Sequence, residues 1–335
     1  MGSSLLNNNF GSIKSPDLQK AKHLTIFDIT RKPHFASVFM SCRTMKQLSD
    51  QGVELNVLLF DYSFIEREGT YQQKVQRIDI YKEYFKYISK LAGLDFAKIN
   101  FIDAVKYFRV ASGKLWNNLH GLTRTIELDI PEYRSRSQDF QMASYLRELF
   151  YMSAIRDFNP DIYHSGMDEN WAHKLAALEP DNKIKYVITH EVLPKFAPKL
   201  EPQTSGEFQI VHKMSKYDSQ TAIDCREKRE IVAKKINGSY CLEGDLKNNA
   251  VLNWVKETVY KEGKEFKIIR PAKWGGNLTV KSFLELAEQF EAKAIHPFDL
   301  KSSYTGYFTD WTEDIRKELE QSQIFEDYGF VYQIP

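Results

Sequence analysis

His23-Leu24-Thr25-Ile26-Phe27-Asp28 has the length and apolar character of a buried strand, and the segments next to it in the chain decide the fold. Phe35, Val38, Phe39, Cys42, Met45 and Leu48 recur at helical spacing on one face, and Leu55-Asn56-Val57-Leu58-Leu59-Phe60 is a second strand. Tyr71 to Leu91 predicts a further helix, with Val75, Ile78, Tyr81, Phe85 and Ile88 on its apolar side. Asp161-Ile162-Tyr163-His164 and Lys185-Tyr186-Val187-Ile188-Thr189 read as two more strands. Strands that alternate with helices are joined by crossovers, so they run parallel and the helices cover the sheet. The expectation is an α/β chain with a Rossmann-like parallel sheet, right-handed crossovers and any ligand at the carboxyl ends of the strands.

Outward from this core the rhythm changes twice. From about Phe101 to Glu148 the pattern is mostly helical, interrupted at Pro131, and reads as an insertion between the two halves of the sheet. After about Lys213 come charged helices, a turn at Gly275-Gly276 and a final helix from about Trp311. The expected organisation is a loose polar tail over 1–20, a catalytic-type domain over 21–212 with its insertion at about 101–148, a loop over 213–224 and a mostly helical second domain over 225–335.

A chain of 335 residues with 42% hydrophobic and 27% charged residues carries enough apolar surface for about two domains. A net charge of +1 argues against indiscriminate polyanion binding but leaves room for a local basic face. Cys42, Cys225 and Cys241 are odd in number and form no CxxC pair, which predicts neither a metal site nor a disulfide framework and suits a reducing cytoplasm. No apolar run reaches the ~18 residues of a membrane span.

Three short segments carry chemistry. In Lys213-Met214-Ser215-Lys216, two lysines bracket a small hydroxyl residue, a pattern able to hold a pyrophosphate leaving group and equally found in any lysine-rich surface loop. His34 follows Pro33 at the start of the first helix, where an imidazole can donate to a phosphate or serve as a polar cap. Gly166-Met167-Asp168 follows a strand; the glycine admits a ribose close to the backbone and the aspartate can accept both vicinal hydroxyls, or the segment is a plain turn. Together their order is the one a split nucleotide fold requires.

Two later stretches are longer and more specific. Arg270-Pro271-Ala272-Lys273-Trp274-Gly275-Gly276-Asn277-Leu278-Thr279 resembles RPEKFGGDLT, and His296-Pro297-Phe298-Asp299-Leu300-Lys301 resembles HPxDLK, both from the class I tyrosyl-tRNA synthetases of archaeal and eukaryotic type. The similarity runs from about Leu24 to Leu319. It implies ATP with Mg2+, an amino acid and a tRNA as ligands, and a homodimer paired through the inserted helices, where Tyr107, Phe108 and Trp116 suit an interface or a core face. It also implies that Trp274, His296 and Asp299 contact the anticodon, an indole stacking on an unpaired base. The family's HIGH signature falls on His34-Phe35-Ala36-Ser37, with its glycine replaced by Ala36 and its second histidine by Ser37. The KMSKS-type loop ends in Tyr217, and Gly166 and Asp168 match the ribose turn.

The amino-acid pocket that the resemblance implies departs furthest. The substrate-facing tyrosine of the family falls on Leu24 and a nearby glycine on Ile26, while the YxxxQxxD helix motif falls on Phe150, Ala154 and Asp157. The glutamine after the ribose aspartate is Glu169, and the arginine that reads the first tRNA base pair is Asn170, followed by Trp171. Loss of the hydroxyl partner at Leu24 removes half of what tells tyrosine from phenylalanine, a kind of discrimination worth ~10⁴-fold or more, so the expected substrate is an amino acid other than tyrosine. The expected function is ATP-dependent formation of an aminoacyl adenylate and transfer to tRNA. The alternatives are a paralogue forming amides or esters in specialised metabolism and a non-catalytic tRNA-binding module.

Overall fold

The computed structural model describes residues 18–29, 33–60, 71–104, 106–107, 112–125, 142–167, 184–200, 213–214 and 220–322. The chain divides into two compact units, Met1–Lys32 with Val38–Glu191, and Pro33–Ser37 with Val192–Pro335.

The first unit is built on β1 (His23–Asp28), β2 (Leu55–Phe60), β3 (Ile99–Asp103), β4 (Ile162–Gly166) and β5 (Tyr186–His190). All pairings are parallel, in the order β3-β2-β1-β4-β5, so the strand order reverses direction between β1 and β4. Parallel sheets bind ligands at such a switch point, beyond the carboxyl ends of the strands. Helices α1 (Phe35–Ser49), α2 (Tyr71–Leu91), α3 (Ser112–Thr125) and α4 (Met142–Phe158) lie between the strands in sequence.

Register decides which side chains meet. Leu24 pairs with Tyr163, Ile26 with Leu58 and Leu58 with Ile102, which puts all of them on one face of the sheet. There they join Leu119 and Leu122 of α3 and Leu149, Ala154 and Ile155 of α4 in one apolar cluster. Each fully buried aliphatic or aromatic side chain there stabilises the fold by about 1.5–3 kcal/mol. On the opposite face Phe27 meets Phe85 of α2 edge-on at 4.9 Å, and the Tyr81 hydroxyl donates to the Asp28 carbonyl at 3.2 Å.

The second unit contains α5 (Arg229–Gly238), α6 (Ala250–Thr258), the antiparallel pair β6 (Phe266–Ile268) and β7 (Leu278–Val280), α7 (Phe283–Glu291) and α8 (Pro297–Gln321). Its centre is aromatic. The ring of fully buried Trp254 lies 5.7 Å from Phe35, 5.0 Å from Phe196 and 5.6 Å from Phe308, and its indole N–H donates to the Pro194 carbonyl at 2.8 Å. Side chains of Asn249 and Ser282 accept from the first-turn amides of α6 and α7 and so fix where these helices begin.

Two expectations need correction. Phe101 does not open a helical insertion: it belongs to β3, a fifth strand at the edge of the sheet. Asn100 and Asp103 dilute that strand's apolar run, and parallel pairing with β2 overrides the weak local signal. The last helix begins at Pro297 rather than Trp311. Its first half is rich in Ser, Thr and Gly, poor helix formers in isolation. Within it the hydroxyls of Thr305, Thr309 and Thr312 donate back to the carbonyls of Lys301, Thr305 and Phe308 at 2.8, 2.8 and 2.9 Å. Buried Leu300, Tyr304 and Phe308 supply the face that holds it. Among the described residues no helix is long and apolar enough to cross a membrane.

Candidate active site

The start of α1 is built around His34 and Phe35. The imidazole Nδ1 of His34 accepts from the backbone N–H of Ser37 at 3.4 Å, and the Ser37 hydroxyl donates to the His34 carbonyl at 3.3 Å. His34 therefore caps the helix. Because Nδ1 accepts, the proton of the neutral ring sits on Nε2, where it can serve as a donor. Phe35 anchors the turn by stacking near Trp254 and meeting Phe308 and Trp311 edge-on.

The same turn is tied to the lysine loop. Phe35 donates its backbone N–H to the Ile223 carbonyl at 3.0 Å, and Ile223 donates to the Met214 sulfur at 3.3 Å. Met214 in turn donates to the Leu193 carbonyl at 3.1 Å, beside an antiparallel bridge between Lys213 and Pro194. Ile223 thus joins the HIGH-like and KMSK-like segments inside the second unit. The strap is itself held: Lys235, with only 7% of its side chain exposed, donates to the Ala222 carbonyl at 2.6 Å and pairs with Glu227. Burial raises the Glu227 carboxyl above its ordinary range, more than the Lys235 ammonium lowers it. Neither Ile223 nor Lys235 stands out in the sequence, since one acts through its backbone and the other reads as a surface lysine.

Gly166 is the last residue of β4, in register with His190 at the end of β5. Ala36 is buried, and Ser37 is half-buried within the first turn of α1. Asp168, Glu169, Asn170, Trp171, Ser215, Lys216 and Tyr217 lie outside the described residues, as do Phe108 and the tail to position 17.

Most of the residues assigned to the amino-acid pocket converge in the first unit. Leu24 is 0% exposed and Ile26 5%, and Ala154 is fully buried, all within the apolar cluster, with Phe150 packed against it. Two polar features interrupt this surface. The Tyr163 hydroxyl donates to the Tyr151 hydroxyl at 2.8 Å, and the Tyr107 hydroxyl donates to the Asp157 carboxylate. Burial, and then the bonded carboxylate, push the Tyr107 phenol far above its usual range, so it stays a neutral donor. Trp116 of α3 is 64% exposed and meets Phe150 edge-on at 6.3 Å.

In the second unit Arg270 fastens the loop from Arg270 to Asn277, both to itself and to the chain before α8. Arg270 donates through its side chain to the Gly276 and Ala294 carbonyls at 2.7 and 2.8 Å, and through its backbone to the Asn277 side chain at 3.2 Å. Gly275 and Gly276 turn the chain with φ of +93° and +72°, a region closed to most other residues. Trp274 is left 66% exposed at the tip. His296 caps α8 by accepting from Phe298 at 3.1 Å, Asp299 lies half-buried in the first turn, and Lys301 donates to the Asn237 and Ser239 carbonyls at the end of α5.

The profile of the tRNA synthetases class I (W and Y) matches residues 19–308. The chain belongs to this family. Within the class I synthetases it is a divergent tyrosyl-type member. It is 25% identical over 335 residues to the tyrosine–tRNA ligase of Thermococcus kodakarensis, covering 90% of this chain and 87% of that protein. It is 26% identical to the cytoplasmic tyrosine–tRNA ligase 1 of Arabidopsis thaliana, covering 88% and 76%. In fold it is similar to the tyrosyl-tRNA synthetase of Pyrococcus horikoshii complexed with L-tyrosine, with a TM-score of 0.78, 23% identity and 90% and 88% of the two chains covered. The tryptophanyl-tRNA synthetase of Aeropyrum pernix is a more distant structural neighbour, at a TM-score of 0.61 and 12% identity over 90% and 78%.

Proposed function

We propose that this synthetase-family chain is an ATP-dependent ligase that activates an amino acid other than tyrosine as its adenylate and passes it to a tRNA. The observation that carries the reading is the strap through Ile223, which keeps the His34 turn and the Lys213-Met214 segment in one fixed relation. The substrate carboxylate attacks the α-phosphorus, a carboxylate–phosphorus bond forms, and the bond to the bridging oxygen breaks as pyrophosphate leaves. His34 donates from Nε2, while Lys213 and Lys216 stabilise the growing negative charge as fixed cations. Gly166 and Asp168 receive the ribose, Ala36, Ser37, Met214 and Ser215 frame the nucleotide, and Mg2+ arrives with the ATP. No covalent enzyme intermediate is needed.

Leu24, Ile26 and Ala154 are closed into the apolar cluster and offer no partner to a phenol, which supports a different amino acid, held beside that closed face by Phe150, Asp157 and Glu169. Trp274, His296 and Asp299 would meet the tRNA, and the helices around Trp116 would pair two copies in the cytoplasm. The same burial, together with Ala36 in place of glycine, also favours a second reading. In it the chain is a paralogue that forms amides or esters, or binds tRNA without turnover.

Amino-acid-dependent exchange of pyrophosphate into ATP, screened over the standard amino acids, tests the first reading. At least one amino acid other than tyrosine should support exchange, and Lys213→Ala and Lys216→Ala should each slow it by ~10²-fold or more. No exchange with any amino acid, while tRNA still binds, leaves the tRNA-binding module.

A further inference from the structure

Three histidines form a hydrogen-bonded row across the sheet of the first unit, on the face opposite the apolar cluster. His23 Nε2 lies 3.1 Å from His164 Nδ1, and His164 Nε2 lies 2.7 Å from His190 Nδ1. The rings come from β1, β4 and β5, with centroids 5.3 and 4.9 Å apart. His23 and His164 are fully buried, and His190 is half-buried at the carboxyl end of β5, in register with Gly166.

One backbone amide gives the row its polarity. The N–H of Asn56 approaches His23 Nδ1 at 3.4 Å, and an amide can only donate. His23 must therefore accept at Nδ1. Burial holds its ring neutral, so its single proton is on Nε2 and points at His164. Because the His23 Nε2–H points at it, His164 accepts at Nδ1, so its single proton is on Nε2 and is donated to His190. His190, accepting at Nδ1, carries its proton on Nε2. Each nitrogen between neighbouring rings is committed to the next imidazole, and among the described residues no three His, Cys, Asp or Glu side chains gather as a metal site.

Two buried imidazoles are a costly way to fill a sheet face, because each must find partners that phenylalanine or leucine would not need. What they supply is a fixed tautomer at the half-buried end of the row, where β5 stops. We infer that His190 is a nucleotide-binding residue that donates from Nε2 to an oxygen of the ribose or α-phosphate of ATP, and that His164 and His23 are positioning residues that keep it a donor. This rests on the nucleotide site proposed above and adds to it a residue that no motif in the sequence marks.

Side-chain ¹⁵N–¹H correlation spectra of the histidine-labelled full chain read the tautomers without any ligand, with resonances assigned through His164→Gln and His190→Gln. All three rings should be neutral with the proton on Nε2 at pH 7.5. A proton on Nδ1, or a charged ring, at any of the three overturns the row. Equilibrium dialysis with labelled ATP then tests the ligand. His190→Phe should weaken ATP by ~10-fold or more, the scale of one hydrogen bond to a charged group. His164→Leu should weaken it by a smaller factor, whereas His164→Gln, whose amide can both accept from His23 and donate to His190, should hold it near wild type. ATP binding equally to wild type and His190→Phe overturns the inference and leaves the ligase reading standing. Failure of wild type to bind ATP removes both, even with the tautomers as expected.

Discussion

The apolar cluster around Leu24 and the loop that carries Trp274 both occupy positions where the tyrosyl-type family resemblance puts ligand contacts, and they have met opposite fates. At the loop, Arg270 and Asn277 spend their hydrogen bonds on their own backbone, and Trp274 is held out with 66% of its surface exposed. In the cluster, Leu24 and Ile26 have no polar group to satisfy and close onto Tyr163, Leu58 and α4. A residue that reads a ligand has to keep surface in reserve, and the surrounding backbone must supply the stability that this surface gives up. Where the polar residue is replaced by an aliphatic one, nothing holds the surface open and the hydrophobic effect draws it into the core.

The largest expected effect tests whether the cluster is core. Leu24→Ala should cost about 2–5 kcal/mol of stability, the range for truncating a fully buried leucine, read from the urea midpoint at constant slope. A loss below ~1 kcal/mol would mean that Leu24 lines an open pocket, and the contrast with Trp274 would disappear.

Acid should sharpen the same contrast, because the sheet that carries Leu24 also carries His23 on its other face. Burial lowers the His23 pKa from 6.5 to about 3. Above pH 6.5 neither the folded nor the unfolded chain protonates this ring, and it contributes nothing. As pH falls below 6.5 the unfolded chain takes up a proton that the fold excludes, so stability falls by up to ~1.4 kcal/mol per pH unit until about pH 3. Hydrogen exchange of the β1 and β4 amides should show a loss of roughly 2 kcal/mol between about pH 7 and 5 after correction for intrinsic rates. Replacing the ring in His23→Gln should flatten this slope, whereas an unchanged slope would assign the acid sensitivity to other groups.

Much of this arrangement is legible in the sequence alone. Periodicity locates β1, β2, α1 and α2, because a parallel sheet buries both faces of its strands and the covering helices bury one stripe each. β3 escapes, being five residues long with asparagine and aspartate inside it. The segments that begin at Lys213 and surround Trp274 stand out as motifs, because the residues that match the family pattern are adjacent in sequence. The histidine row is not. His23 and His164 stand 141 residues apart, and only the register of β1 on β4 brings them together. Nor is Ile223, whose part is played by an amide and a carbonyl that nearly every residue possesses.

The smallest effect separates two roles in one residue of the exposed region. His296 uses Nδ1 to cap α8, so part of what holds it in the HPxDLK stretch is structural. Losing the cap in His296→Ala should cost about 1 kcal/mol of stability. His296→Asp restores an acceptor for the Phe298 amide and places a negative charge at the positive end of the helix, so stability should return. Binding to tRNA should not return with it, because the imidazole is gone and a carboxylate faces a polyanion. Trp274→Ala supplies the scale: stability within ~0.5 kcal/mol of wild type, and tRNA affinity lower by ~1–3 kcal/mol. If His296→Asp recovers both stability and tRNA affinity, then His296 is a cap alone, and the exposed region reads RNA through Trp274 and its neighbours without it.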